Sequence, residues 1–252
     1  MSVVKIISWN LNGIRTRFKN KQLDKVLDVN PDILLFQETK ANYSQLDTKL
    51  KEKMEEYKSY FSKDLESKSG GIATYTKKTP KIVTKFLKTP DKIFIGRILN
   101  IQYDNFNLIQ IHAPTAVTES KTKIVLIESL IKYLKTIDSK KTIIAGDFAI
   151  SNTIKDIEKS ELQKAKESEF KKQAKLIDEL KSIGFVDTFR KLNEDSEEYS
   201  LFKSKNAKEN NIGSRVDYFF VSEDLKENIK SSSICSNVEG SKHLPIQLEI
   251  EL

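Results

Sequence analysis

The sequence has few cysteines, few arginines and no long hydrophobic run. Cys235 is its only cysteine, so no disulfide can form within the 252 residues. No apolar stretch approaches the roughly 20 residues that a membrane-spanning helix needs, and the opening MSVVKIISWN lacks a signal-peptide pattern. These features argue against a disulfide-stapled secreted domain and an integral membrane protein. We expect a cytoplasmic location without a membrane partner.

Arginine is scarce although the chain is basic. Only five of the 43 basic residues are arginine, and the formal net charge is +7. A basic surplus favours a polyanionic partner such as nucleic acid. A lysine bias of this kind also arises from genome base composition and from solubility, so the charge alone leaves both explanations open.

Glycine and proline are too sparse to mark a linker, and we predict a single domain over residues 1–252. Segments rich in isoleucine, valine and aromatics predict strands at residues 3–9, 32–36, 70–76, 93–103, 106–112, 142–148 and 215–222, and an alternating strand closes the chain. Helical spacing predicts helices at residues 19–29, 44–56, 119–137 and 165–183. The pattern indicates an α/β domain of mainly antiparallel sheets covered by helices.

Polar side chains recur where predicted strands begin or end. Each one alone is a weak signal, because a carboxylate at a strand end is often a turn residue or a helix cap. Together they suit a hard-cation site with an acid/base pair, as phosphodiester hydrolysis requires. The set comprises Asn10, Asn12, Glu38, Asp147, Asp217 and His243.

The order of motifs resembles that of the exonuclease III/abasic-site endonuclease family, within the wider endonuclease/exonuclease/phosphatase fold. The chain carries in turn ISWNLNGIR, LLFQETK, GGIATYTK, IIAGDF, GFVDTFR, NIGSRVDYFFVSEDL and SKHLPIQLEIEL. The resemblance implies a DNase I-like, four-layer α/β sandwich with two mainly antiparallel sheets flanked by helices. It also implies a monomeric, Mg²⁺-dependent enzyme, with Mn²⁺ as an alternative cation, that nicks double-stranded DNA at abasic sites and degrades it from 3′ ends.

The same resemblance assigns roles to the polar set. Glu38 corresponds to the principal metal ligand, with Asn12 near it. Asn10 organises the site, and Asp147 orients or deprotonates the attacking water. The dyad at the phosphate consists of Asp217 and His243; a lone histidine at a strand start is otherwise more often a buried structural residue. Predicted DNA contacts are Arg15, Arg17, Arg215 and Phe202, although a solvated helix start explains the first two equally well.

Several positions depart from the family pattern. Lys242 replaces the aspartate before the histidine, a change of two charge units that disfavours Mg²⁺ if the side chain enters the site. His112 and Thr115 replace a tyrosine and an asparagine, and His112 is either a phosphate contact or a structural strand-end residue. Ala149 replaces an asparagine, and losing one such donor typically costs about 10²–10³ in rate. Ser214 replaces the tryptophan that walls the pocket for a flipped-out sugar.

Three interpretations follow from these departures. The first is a metal-dependent DNA phosphodiesterase of base excision repair with a changed rate or substrate. The second is a catalytically weak or inactive homologue that binds nucleic acid or another partner. The third is a phosphodiesterase of the same fold that acts on a substrate other than DNA. The retained carboxylates and His243 favour the first, because a pure binding module does not need all of them.

Overall fold

Two six-stranded sheets form the centre of the protein. The computed structural model describes residues 2–63, 70–88, 93–115, 120–164 and 167–252. The strands within these residues are β1 (Val3–Asn10), β2 (Ile33–Gln37), β3 (Lys58–Ser62), β4 (Ile72–Thr76), β5 (Ile82–Lys88), β6 (Ile93–Gln102), β7 (Asn107–His112), β8 (Thr142–Asp147), β9 (Phe185–Asp187), β10 (Asp217–Ser222), β11 (Ile229–Ile234) and β12 (Ile246–Glu251).

Helices connect and cover the strands. The helices in the described ranges are α1 (Ile14–Lys19), α2 (Asp24–Leu27), α3 (Thr48–Lys53), α4 (Ser120–Thr136), α5 (Lys159–Lys164), α6 (Glu167–Ser182), α7 (Thr188–Leu192) and α8 (Lys205–Glu209). Among the described residues, no helix is both long enough and apolar enough to cross a bilayer.

The two sheets have the same arrangement of strand directions. The first has the order β11-β12-β1-β2-β4-β3 and the second the order β5-β6-β7-β8-β10-β9. Each contains one parallel pair, β1 with β2 and β7 with β8. The other neighbouring pairs are antiparallel. The prediction of mainly antiparallel sheets is therefore confirmed.

Side-chain alternation along the strands divides the core into three layers of packing. In β1, Val4 and Ile6 belong to the core between the sheets, whereas Ile7 and Trp9 pack on the helices of the outer side. The second sheet places Ile144 against α4 and α6 on its own outer side. Because successive residues of a strand point to opposite faces, this alternation produces the predicted four-layer sandwich.

The predicted strands and two of the predicted helices, α4 and α6, are confirmed, and the helix predicted at 44–56 is present only as the shorter α3, but other short elements were missed. Strands β3, β5, β9 and β11 were not predicted; β11 has the sequence IKSSSI, whose three serines conceal its pattern. The helix predicted at 19–29 is wrong in extent, because Lys21 adopts a φ of 57° between α1 and α2. Residues 119, 165 and 166 of the predicted helices lie outside the described ranges.

A glycine allows the parallel pair of the second sheet to pack closely. Gly146 has a φ of +138°, and a Cβ at this position would lie 1.9 Å from the carbonyl oxygen of Ile111. Only glycine fits such an approach. The resulting register places His112 beside Asp147 at the end of the pair.

The prediction that Arg215 contacts DNA is wrong. Its side chain is 1% exposed, and its Nε lies 2.7 Å from Asp156 Oδ1 while its Nη2 lies 2.7 Å from Asp187 Oδ2. The guanidinium also stacks 4.5 Å from the ring centroid of Tyr218. Burial lowers the pKa of Arg215, but the two carboxylates outweigh that effect and raise it. The residue therefore holds β9, β10 and the 154–156 turn together.

Two further predicted DNA contacts are buried as well. Arg17 is 8% exposed and lies beneath Gly240, where a Cβ would approach its Nη1 to 2.4 Å. Phe202 is 6% exposed and packs edge-on against Tyr199 in the core between the sheets. The Arg17 side chain is therefore not free to contact a phosphate, whereas Phe202 still lines a cavity beside Lys242 and Arg15 is exposed.

We expect Arg215→Met to destabilise the fold strongly. Removing the guanidinium leaves the buried carboxylates of Asp156 and Asp187 without their main counter-charge, which costs about 3–5 kcal/mol. Urea unfolding measures the change, with Arg15→Met as the matched control that shifts the unfolding free energy by no more than about 0.5 kcal/mol. Equal stability of the two variants would contradict a structural role for Arg215.

Candidate active site

Strand ends from both sheets converge on one polar centre. Strands β1, β2, β7 and β8 end there, and β10 begins there. In β8 the row of side chains that faces the partner sheet runs Ile143, Ala145, Asp147, and in β1 it runs Val4, Ile6, Ser8, Asn10. This alternation brings Asn10 and Asp147 together, and the segments next to the strands add Asn12, Glu38 and His243.

Asn10 joins the two sheets at the centre of the site. Its Nδ2 donates to Asp147 Oδ2 at 2.9 Å and lies 3.5 Å from Glu38 Oε1. Its Oδ1 is buried and has no hydrogen-bond partner among the described residues. A buried acceptor without a donor is unusual, and this oxygen is free to bind a cation or a water molecule.

His243 and Asp217 form a buried pair. His243 Nδ1 lies 2.9 Å from Asp217 Oδ2, and Asp217 also accepts a hydrogen bond from Ser200 Oγ at 2.7 Å. The other ring nitrogen, Nε2, lies 3.7 Å from Asp147 Oδ2. Burial lowers the pKa of His243, but Asp217 and Asp147 outweigh it and raise the pKa to about 9. The imidazole is therefore charged at neutral pH.

Asp147 is fully buried, and its surroundings shift its pKa in opposite directions. Burial raises its pKa to about 6, while His243 and the hydrogen bond from Asn10 act in the opposite direction. The backbone N–H of Ala149 donates to Asp147 Oδ1 at 2.8 Å. Asp147 is consequently ionised near neutrality but close enough to its pKa to accept a proton, as a general base requires.

His112 is neutral and has one defined tautomer. Burial, Arg97 and His243 together hold its pKa well below the ordinary value. Arg97 Nη1 lies 3.3 Å from His112 Nδ1, and because a guanidinium only donates, Nδ1 must accept. The proton therefore sits on Nε2, which lies 3.8 Å from Glu38 Oε1. His112 thus directs an N–H donor at the same part of the site as Glu38.

The donor set around Glu38 suits a hard divalent cation. Glu38 and Asn12 supply a carboxylate and an amide oxygen, and the neighbouring Asn10, whose Nδ2 lies 3.5 Å from Glu38 Oε1, carries an unpartnered Oδ1. Lys40 contacts both Asn12 and Glu38: its Nζ donates to Asn12 Oδ1 and lies 3.5 Å from Glu38 Oε2. A second group that could hold a metal comprises Asp147, Asp217 and His243, whose ligand atoms all lie within 4.8 Å of one another.

The backbone around these donors adopts unusual conformations. Of the eight non-glycine residues with positive φ in the described part of the chain, four lie at the site, namely Asn12, Glu38, Lys40 and Ala149, with φ angles between 50° and 52°. Left-handed backbone is strained for most L-residues, and such strain clusters at functional sites. The site therefore contains a concentration of strain that the surrounding packing must hold.

The altered positions lie on two cavities beside the polar centre. Lys242 is exposed and lines a cavity of about 400 Å³ together with Asn12, Lys203, Lys205 and Lys208. A second cavity of about 580 Å³ is lined by Thr115, Ala149, Ser214 and their neighbours.

Sequence reasoning missed several residues that position the predicted ones. Trp9 is buried, and its Nε1 donates to the His243 carbonyl at 3.0 Å. Ser241 bridges the carbonyl of Asn10 and the backbone N–H of His243. These contacts, like the hydrogen bond from Ser200 to Asp217, depend on the tertiary fold, and no sequence motif predicts them.

Comparisons with known proteins agree with this fold. The profile of the Endonuclease/Exonuclease/phosphatase family matches residues 7–237. An exodeoxyribonuclease of Bacillus subtilis (strain 168) is 28% identical over 99% of this chain and 100% of its own length. A DNA-(apurinic or apyrimidinic site) endonuclease of Dictyostelium discoideum is 29% identical over 99% of this chain and 71% of its own. The structure of an AP endonuclease from Archaeoglobus fulgidus superimposes with a TM-score of 0.85 at 23% identity, covering 99% of this chain and 100% of that one.

The chain's two histidines allow a direct test of the electrostatics. We expect one imidazole to titrate near pH 9, because Asp217 and Asp147 stabilise its charged form, and the other to stay neutral down to well below pH 6.5. NMR of the ring C–H signals of untagged protein measures both, and His112→Gln assigns them. Two histidines titrating together near 6.5 would show that the buried network does not exist in solution.

Proposed function

Because the chain belongs to the endonuclease/exonuclease/phosphatase family, we propose that it hydrolyses DNA phosphodiester bonds in base excision repair, at abasic sites and at 3′ ends. The observation that carries the proposal is the buried network of Asn10, Asp147, Asp217 and His243 next to Glu38. The names of the relatives, an exodeoxyribonuclease and an abasic-site endonuclease, support DNA as the substrate.

In this proposal Asp147 is the general base. Its carboxylate, ionised near neutrality and held by Asn10 and the Ala149 N–H, takes one proton from the attacking water. The water oxygen bonds to phosphorus, the ester bond to the leaving oxygen breaks, and that oxygen takes a proton from solvent. The phosphodiester is thus hydrolysed to a phosphomonoester and a free hydroxyl.

His243 and His112 stabilise the charge that develops on the phosphate. The His243 imidazolium, oriented through Nδ1 by Asp217, presents Nε2–H to the centre of the site. His112 presents Nε2–H from the opposite sheet, at the position where the family carries tyrosine. Preorganised donors of this kind are among the largest contributions to catalysis. His112 therefore offsets part of the change from the family pattern.

Glu38, Asn12 and the unpartnered Asn10 Oδ1 are the residues that would hold Mg²⁺, with Mn²⁺ as an alternative. When bound there, the cation supplies Lewis-acid stabilisation of the phosphate oxygens. Lys40 already contacts Glu38 and Asn12, so it must move aside or share these donors.

Lys242 acts on DNA rather than on the metal in this proposal. Its exposed side chain shares a cavity with Lys203, Lys205 and Lys208. Lysines clustered beside a phosphodiesterase centre suit the phosphates of duplex DNA, and binding through them weakens as salt rises. The exposed Arg15, whose Nη2 lies 3.5 Å from the carbonyl oxygen of Lys40, adds a further positive charge. We also propose that the chain works as a single-domain monomer in the cytoplasm.

A catalytically inactive DNA-binding protein is the second candidate. The contact of Lys40 with both metal donors favours it, because an ammonium there competes with a cation. Ala149 adds to this case, since it has no polar side-chain atom where the family carries asparagine.

Cleavage of a labelled duplex that carries one abasic-site analogue separates the two candidates. With Mg²⁺ or Mn²⁺ we expect cleavage that Glu38→Gln lowers by about 10²-fold or more, because the carboxylate charge is lost. Glu56→Gln is the control, since Glu56 is exposed and pairs with Lys77 away from the site. Salt-sensitive binding without cleavage, and with cleavage appearing in Ala149→Asn, would support the inactive homologue instead.

The pH dependence of kcat/KM provides an independent test. We expect the rate to rise through about pH 6, as Asp147 loses its proton, and to fall through about pH 9, as His243 loses its own. Asp217→Asn removes the main group that raises the pKa of His243, so the upper limb moves to lower pH. The exposed Asp104 serves as control in Asp104→Asn. An upper limb that stays in place in Asp217→Asn would exclude His243 as the group responsible.

A further inference from the structure

A buried lysine on α4 is not part of the chemistry described above. Lys123 is 8% exposed, and its Nζ donates a hydrogen bond of 2.9 Å to the carbonyl oxygen of Ala149. Among the described residues this neutral carbonyl is its only hydrogen-bond partner. Lysine usually keeps its ammonium in water, and a buried charge without a directly paired carboxylate is costly. The position of Lys123 therefore requires an explanation other than helix packing.

The bond joins the outer helix layer to the segment that follows β8. Helix α4 packs on the outer side of the second sheet through Leu126 and Ile127, and Phe148 belongs to the same core cluster. Asp147 precedes Phe148 and faces the partner sheet, because successive residues of a strand point to opposite faces. Lys123 thus holds the chain next to the proposed base from the side of the sheet that lies away from the active site.

Ala149 is held through both of its backbone polar groups. Its N–H donates to Asp147 Oδ1 at 2.8 Å, and its carbonyl oxygen accepts from Lys123. Its φ of 52° is unfavourable for alanine, whereas the asparagine of the family pattern tolerates this conformation better. Because the backbone angles of Ala149 set the direction of its N–H relative to its carbonyl, the bond from Lys123 also restrains the N–H that holds Asp147.

The ammonium of Lys123 also acts on Asp147 through its charge. Burial lowers the pKa of Lys123, while the carboxylates of Asp147 and Glu169 act in the opposite direction. The same attraction favours the ionised form of Asp147. His243 is a second cation that favours this form, whereas Asp217 opposes it. Lys123 is therefore linked to the base both by a path of hydrogen bonds and by its charge.

We propose that Lys123 is a positioning residue for catalysis: it fixes the left-handed conformation of Ala149, and through the Ala149 N–H it holds the Asp147 carboxylate ready to accept a proton. The residue acts from the helix layer, so its effect passes through Ala149 rather than through contact with the substrate. The inference rests on the proposed function, since it concerns the base of the same reaction.

The pH dependence of kcat/KM distinguishes positioning from packing. Lys123→Met keeps an unbranched side chain but removes the donor and the charge, so we expect the pKa of Asp147 to rise from about 6 and the acid limb to move to higher pH by about one unit or more. Lys123→Arg retains the donor and the charge and keeps the limb near its wild-type position. Lys132→Met, at an exposed lysine of the same helix, is the matched control and leaves the limb unchanged.

Urea unfolding checks that the variants are folded. Replacing a buried charge by an apolar side chain of similar volume is often neutral or stabilising, so we expect Lys123→Met to unfold at no lower urea concentration than the wild type. Lys123→Gln is a second uncharged variant, and its acid limb moves in the same direction. An acid limb that stays in place in both uncharged variants overturns the positioning role.

A titration without substrate separates this proposal from the proposed function. The side-chain carboxyl ¹³C signal of Asp147, assigned with Asp147→Asn, reports the protonation of this group in protein treated with EDTA. A wild-type midpoint near 6 that rises in Lys123→Met and stays in place in Lys123→Arg supports the positioning role, even if no variant cleaves DNA. Cleavage together with an unchanged midpoint in Lys123→Met overturns the role of Lys123 and leaves the nuclease standing. Absence of cleavage together with an unchanged midpoint overturns both.

Discussion

The strict alternation of side chains along the strands is the constraint on which the site depends. In β8 and β10 the row facing the partner sheet is apolar apart from Asp147 and Asp217 at the site, whereas in β1 and β7 it becomes polar earlier, at Ser8 and Gln110, before it ends in Asn10 and His112. A slip of one residue in any strand would turn its row to the helix side. The packing that fills the core between the sheets therefore also fixes where the polar groups point. A substitution in the core that shifts a strand therefore also moves the polar side chains of the site.

Burial makes the members of the polar centre dependent on one another. Asp147 is completely buried, yet it faces a charged imidazole, an amide and a backbone N–H. His243 in turn lies between two carboxylates, and Asp217 is held by Ser200. Removing one member leaves an uncompensated charge away from water, which is far more destabilising than removing a surface charge. The network therefore tends to be kept or lost as a whole, and this chain has kept it.

The sequence predicted the parts of the molecule that depend on periodicity. Strand cores of isoleucine and valine and the polar residues at their ends follow from side-chain alternation, so the predicted residues do meet in space. It failed where contact between distant segments decides the outcome. Arg215 was taken as a DNA contact because its charge was visible and its partners, Asp156 and Asp187, are 59 and 28 residues away. Nothing local indicates the bond of Trp9 to the carbonyl of His243 either, because the two residues are 234 positions apart.

The altered positions separate two roles that one residue ordinarily combines. Ala149 keeps a φ of 52°, a conformation that costs most L-residues roughly 1–2 kcal/mol and that asparagine tolerates better. That backbone path allows its N–H to hold Asp147 at 2.8 Å, so the positioning role survives the loss of the amide. The substitution changes the side-chain volume at residue 149. Thr115 and Ser214, which are also small, line the same cavity. Because a backbone N–H makes the contact with Asp147, the position of Asp147 does not depend on a polar side chain at residue 149, and the loss of an amide there removes a donor to the substrate without releasing the base.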